Sequence, residues 1–175
     1  MKDGIESETQ IIKQYCKLTG NVVKQCGFFV SKEYPFLGAS PDRLIGSDGF
    51  IEVKKVHPRN GETLEEVLLR LNIVKQSDDK CLSINEIHQY YYQMQQQMLC
   101  TTRKWADFVA LDGSALFVQR VVFNKEFWSR NLPRLESFYY NVILLELAYP
   151  RVKNGCERIG KLGFNYSTFA ALRNQ

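Results

Sequence analysis

Asp42, Glu52 and Lys54 are the residues of this chain whose types and spacing could do chemistry together. They stand in Ser40-Pro41-Asp42-Arg43-Leu44-Ile45 and, after a Gly-Ser-Asp-Gly turn, in Phe50-Ile51-Glu52-Val53-Lys54. Residues two apart on a strand share a face, so Glu52 and Lys54 point the same way. Phe50 and Val56 flank them, while Ile51 and Val53 face the other side, toward a core. A carboxylate and an ammonium side by side on a half-buried strand are costly unless each has partners. Two convergent carboxylates suit a hard divalent cation such as Mg²⁺, which prefers oxygen ligands. A neighbouring lysine can orient or deprotonate a metal-bound water, or stabilise charge on a phosphoryl oxygen. This is equipment for hydrolysing a phosphodiester. The plainer reading of the same residues is a surface hairpin with a modest Asp42–Lys54 salt bridge.

Whether Asp42 joins the pair depends on the hairpin register. A three-residue loop of Ser47-Asp48-Gly49, with Gly49 left-handed, pairs Gly46 with Phe50. Asp42 then sits opposite Lys54, Leu44 opposite Glu52, and all three charged groups share one face with Asp42 and Glu52 on a diagonal. A loop of two or four residues flips the parity and turns Asp42 away.

The elements that must position these groups follow from periodicity. Ile5, Glu8, Ile12 and Tyr15 fall on one face of a helix from Gly4 to Leu18, and Glu8 on that apolar face needs a partner. Strand-like stretches run from Cys26 to Ser31, Asp42 to Ile45 and Phe50 to Val56. Thr63 with Glu66 forms a capping box ahead of Leu64, Val67, Leu68 and Leu71. Ser83 with Glu86 forms another, ahead of a stripe of Ile84, Ile87, Tyr91, Met94 and Met98. Opposite that stripe lie Gln89, Gln93, Gln96 and Gln97 with Tyr90. Most of them read as a solvated face, but Tyr90 and Gln93, i and i+3 neighbours, could reach the site together. A hairpin pairs Trp105–Leu111 with Leu116–Phe123, and Lys125 to Leu147 is helical with a break at Asn131-Leu132-Pro133. The expected fold is α/β, a sheet flanked by helices.

Composition narrows the class. The 175 residues are 45% hydrophobic and 24% charged, which excludes wholesale disorder. The longest apolar run, Val142 to Leu145, is far short of the roughly 18 residues a membrane helix needs. The charged start has no apolar signal region, so an intracellular, non-membrane protein is expected. Five cysteines, widely spaced and without a Cys-x-x-Cys pair, argue for reduced thiols and against a zinc site. The net charge of +4 sits in the tail, where Arg151, Lys153, Arg158, Lys161 and Arg173 face Glu157 alone. The expected organisation is a domain over residues 1–150 and a basic tail over 151–175.

These pieces together resemble the YqaJ-type viral recombinase nucleases, relatives of lambda exonuclease in the PD-(D/E)XK nuclease superfamily. The likeness is carried by Gly4-Ile5 with Glu8, Phe36-Leu37-Gly38-Ala39-Ser40-Pro41-Asp42 and Phe50-Ile51-Glu52-Val53-Lys54. It continues through His88, Tyr90-Tyr91-Tyr92-Gln93-Met94-Gln95, Trp105-Ala106-Asp107-Phe108-Val109, Val121-Val122-Phe123 and Phe127-Trp128. The resemblance implies a restriction-endonuclease-like core with a central mixed sheet. It implies that Asp42, Glu52 and the Val53 carbonyl ligate Mg²⁺ (or Mn²⁺), and that Lys54 positions the attacking water. Glu8 would complete the acidic site, with Gln93 and Tyr90 supporting it, and Ser40 would contact a substrate phosphate. The expected activity is a Mg²⁺-dependent, 5′→3′ exonuclease on duplex DNA ends. The other readings are a catalytically inactive DNA-binding relative or truncated fragment of such a nuclease, and a plain α/β domain.

Two departures mark this chain. Arg43 stands where the family has Gly, and Lys55-Val56-His57-Pro58 replaces Cys-Pro after the lysine. Arg43 and Lys55 are thus extra cations available to a phosphate backbone. Relatives also carry a helical segment before the Gly4 counterpart, and some assemble into rings around duplex DNA. Met1 stands almost on Glu8 here, so end recognition, processivity and ring assembly are not expected to carry over unchanged.

Overall fold

The computed structural model describes residues 2–150 and 153–156, with side chains from Glu8 onward. In chain order the elements are α1 (Lys2–Thr19), β1 (Val23–Lys24), β2 (Phe29–Val30), β3 (Gly38–Ala39), β4 (Arg43–Ile45), β5 (Gly49–Lys55), α2 (Leu64–Arg70), β6 (Val74–Gln76), β7 (Leu82–Ile84), α3 (Gln89–Thr101), β8 (Trp105–Leu111), β9 (Leu116–Val122), α4 (Lys125–Phe138) and, after a wide π turn at Tyr139–Ile143, α5 (Leu144–Ala148). They fall into two compact units, Met1–Phe123 and Asn124–Gln175. Of the tail cations, Arg151, Arg158, Lys161 and Arg173 lie outside the described residues, as does the side chain of Ile5. No helix among the described residues is long and apolar enough to cross a membrane.

The first unit is built on a five-stranded mixed sheet in the order β1-β4-β5-β8-β9. Only β5 and β8 run parallel, and α2, β6, β7 and α3 lie between them in the chain. On one face of the sheet, Ile51 and Val53 of β5 and Val109 and Leu111 of β8 meet Ile11, Ile12 and Tyr15 of α1. Ile12 and Tyr15 of the expected α1 stripe therefore do what their spacing predicts. The other face of β5 carries Phe50, Glu52 and Lys54, covered by α3. Two short ribbons, β2–β3 and β6–β7, stand beside the sheet.

Helix α2 opens with the capping box at Thr63 and Glu66 expected from sequence. The second box does not form. Leu82–Ile84 is a strand, because the Ile84 N–H bonds the Gln119 side chain at 2.7 Å and β7 pairs with β6. Helix α3 starts at Gln89 instead, where His88 Nδ1 accepts from the Tyr90 N–H at 3.2 Å. Tyr91, Met94 and Met98 of the expected stripe are buried, whereas Ile87 is 82% exposed.

Asp107 of β8, buried on the α1 face, accepts the Tyr15 hydroxyl at 2.5 Å and both the Nε and Nη2 donors of Arg120 at 2.8 and 2.9 Å. Burial first, and then the Asp107 carboxylate, push the Tyr15 phenol up to about 12. The Arg120 guanidinium also lies over the Trp105 ring, 3.6 Å from its centroid.

In the second unit, α4 is capped by Asn124 and runs straight through Pro133, so the break expected there is absent. Proline removes one N–H from the helical ladder. Asn131 and Asn141 bond back to the carbonyls of Phe127 and Ser137 at 2.7 and 2.8 Å, adding bonds on either side of it. The irregularity falls later, at the π turn.

Gly49 fixes the sheet edge nearest the hairpin, since a Cβ there would lie 2.2 Å from the Trp105 ring. Gly49→Ala is expected to cost about 1–3 kcal/mol. A double-mutant thermal-melt cycle with Trp105→Ala should recover most of that loss.

Candidate active site

The β4–β5 hairpin pairs Arg43 with Ile51, Leu44 with Phe50 and Ile45 with Gly49. The loop is thus Gly46-Ser47-Asp48, and the left-handed residue is Gly46 at φ 52°, not Gly49. The cause lies in β8 and the residues before it. The Asp48 carbonyl accepts the N–H groups of Lys104 and Trp105, and Arg103 donates to the Gly49 carbonyl at 2.6 Å. These bonds hold Gly49 inside the sheet against Trp105. The register slips by two residues from the expected one, and a slip of two preserves parity. Asp42 therefore stays on the face of Glu52 and Lys54 but comes opposite Glu52 rather than Lys54.

Glu52 is 1% exposed and held by three donors. Its Oε1 accepts from Lys54 Nζ and from Gln93 Nε2 at 2.7 Å, and its Oε2 from Gln97 Nε2 at 2.7 Å. With two lone pairs per oxygen, only Oε2 keeps an open direction. The expected Asp42–Lys54 bridge is replaced by a Lys54–Glu52 pair along one strand. Lys54 also lies over the Tyr90 ring, 4.8 Å from its centroid. Burial works against the Lys54 charge, but Glu52, Asp42 and Tyr90 outweigh it and hold the ammonium above its usual range.

Asp42 Oδ2 accepts the Val53 N–H at 2.7 Å, and no described donor reaches Oδ1. Burial first, then the negative charges of Glu52 and Glu8, raise this carboxyl to about 7, against the opposing pull of the Val53 N–H and Lys54. Beyond Arg43 the partner of β5 continues into Pro41, which has no N–H to offer the Val53 carbonyl. A carbonyl and two carboxylates, with more negative charge than nearby cations offset, suit a hard divalent cation. No three carboxylate, imidazole or thiol groups among the described residues converge on one point.

The remaining expected residues divide. Glu8 does reach this side of the molecule, but its Oε1 accepts from Arg43 Nη1 at 2.7 Å. Ser40 is exposed at the entrance to the hairpin, and its carbonyl accepts weakly from Gln97 at 3.4 Å. Lys55 follows Lys54 on β5 and so points to the opposite face, away from the carboxylates. Gln97 was read as part of a solvated face. It is 2% exposed and clamps Glu52, and its own Oε1 is buried without a partner. Its spacing of i+4 from Gln93 was the available signal. Gln96 is likewise engaged, donating to the Gly38 carbonyl at 2.9 Å.

The raised Asp42 carboxyl has a consequence for stability. A folded-state value of about 7 against 3.8 means that the folded chain binds an extra proton between these limits. Asp42's own contribution to stability is therefore fullest below about pH 4 and is lost as pH rises to about 7, where its carboxyl ionises. Asp42→Asn removes this charge, and at pH 8 it should stabilise the metal-free protein by about 1–2 kcal/mol. The gain should vanish near pH 4, as followed by thermal melts across pH.

Comparison with known proteins bears on this site. No curated protein sequence matches the chain. Among solved structures, an alkaline exonuclease (LHK-Exo) from Laribacter hongkongensis is similar at 26% identity and a TM-score of 0.63, over 86% of this chain and 72% of that one. A structure of LHK-Exo in complex with dAMP matches at 27% identity and a TM-score of 0.65, over 89% and 73%. The chain is thus a relative of an alkaline exonuclease, with the mixed α/β sheet expected from sequence. A model of the YqaJ-like viral recombinase domain matches residues 1–104, from α1 through the hairpin and α3. This protein belongs to the family of YqaJ-like viral recombinase domains, a nuclease family.

Proposed function

We propose that this protein is a Mg²⁺-dependent deoxyribonuclease that degrades duplex DNA from an end, in the 5′→3′ direction, during recombination or end resection. The observation that carries the reading is the Asp42–Glu52–Lys54 face: two carboxylates on neighbouring strands beside a charged lysine. Support for DNA comes from the family and from the deoxynucleotide named in the relative's complex. The polarity rests on the family resemblance.

The open lone pair of Glu52 Oε2, Asp42 Oδ1 and the Val53 carbonyl would hold the ion. Once bound, it would polarise the scissile phosphate and acidify a coordinated water. Lys54 keeps its proton, and its Nζ is steered by Glu52 and the Tyr90 ring. It orients the attacking water and offsets charge growing on the phosphoryl oxygen. Gln93 and Gln97 fix Glu52 so that its free lone pair is not spent on the protein. Ser40, at the entrance to the hairpin, meets the DNA backbone, and Arg43, turned toward Glu8 on the other face of β4, reaches phosphates from that side. Lys55 on the other face of β5 can contribute only to more distant phosphates.

The test is digestion of linear, 5′-phosphorylated duplex DNA with Mg²⁺ or Mn²⁺. Glu52→Ala and Lys54→Ala are expected to lower kcat by roughly 10²–10⁴-fold with cooperative melting retained. Chelation should abolish activity, and a shortening ladder from end-labelled substrate reports direction. Activity surviving in both variants would move the chemistry elsewhere. A folded wild type that binds DNA without cutting it would point to a non-catalytic relative.

A further inference from the structure

We propose that Arg43 is a built-in cation that withholds Glu8 from the metal site, so that one divalent ion, not two, binds each chain at Asp42 and Glu52. This rests on the metal-nuclease reading above. Arg43 follows Asp42 directly and is anchored in β4 by pairing with Ile51. Its Nη1 donates both to Glu8 Oε1, at 2.7 Å, and to the backbone carbonyl of Asp42. Both side chains of the pair are largely shielded, 21% and 29% exposed, so solvent screens their attraction only in part. A planar guanidinium, with its fork of donors, can serve both acceptors at once.

The positive charge therefore sits between the Glu8 carboxylate and the Asp42 backbone carbonyl. Glu8 raises the Asp42 carboxyl from a distance but shares no convergent ligand set with Asp42 and Glu52. A second divalent ion beside Glu8 would have to displace Arg43 or bear its repulsion. Glu8 is on this view a positioning residue that acts through Arg43.

Mn²⁺ titration of the metal-free full chain without DNA, by calorimetry and by electron paramagnetic resonance of the free ion, reads the stoichiometry directly. The wild type should take up one Mn²⁺ per chain, and Glu8→Gln should also bind one. Arg43→Ala should bind two, and the double variant Glu8→Gln/Arg43→Ala should return to one. Arg43→Gln, which can still donate to the Asp42 carbonyl, serves if Arg43→Ala melts early and should likewise bind two. Two ions on the wild type, or one on a folded Arg43 single variant, would overturn the proposal while leaving the nuclease reading standing. No Mn²⁺ on the wild type would overturn both.

Discussion

The buried carboxylate of Glu52 is the constraint on which the site depends. A charge on the central strand of a sheet, shut away from water, is tolerated only if the protein replaces the lost hydration. Three donors do so here, and they come from two places: Lys54 from the same strand, Gln93 and Gln97 from α3. This explains why α3 carries amides where a surface helix would carry charges. A glutamine donates to a carboxylate without adding a further charge that burial would penalise. The register of β5 against β4 and β8, and the docking of α3, are thus tied to one acidic side chain.

The sheet holds a second buried carboxylate on its opposite face, and the contrast is informative. Asp107 pairs across from Ile51, on the strand next to Glu52. Tyr15 and Arg120 supply it with three hydrogen bonds, a cation among them. Such an acid is finished chemically and joins α1 to the sheet. Asp42 is largely removed from water with one backbone donor and two acidic neighbours, so burial first and then those charges raise its carboxyl toward neutrality. Under-compensated charge of this kind is what a bound cation would relieve.

Much of this was legible from sequence because alternation and parity are robust. The two faces of β5 follow from period two alone, and the slip of the hairpin register by two residues left every side chain on its expected face. The turn itself was misread because its register is decided far away, by Arg103, Lys104 and Trp105 binding the Asp48 and Gly49 carbonyls. The false capping box at Ser83 shows the same limit. Its residues have a helix-starting pattern, but Gln119 on β9 and the ladder with β6 claim Leu82–Ile84 for a strand. Gln97 was missed because an amide is equally at home in water, and only the buried acid opposite makes it necessary. The pairing of Glu8 with Arg43 could not be read from spacing, since it joins α1 to β4 across a long interval of chain.

The parallel pairing of β5 with β8 carries a consequence for how the protein reaches its native state. The hairpin that presents Asp42, Glu52 and Lys54 closes over a three-residue loop, a local and rapid event. The helix that supplies the glutamines belongs to the crossover between β5 and β8, and its docking closes a much longer loop. Glu52 therefore stays hydrated, with Lys54 its only partner, until α3 settles. The carboxylate face is completed only when α3 docks, and local unfolding of α3 would dismantle it.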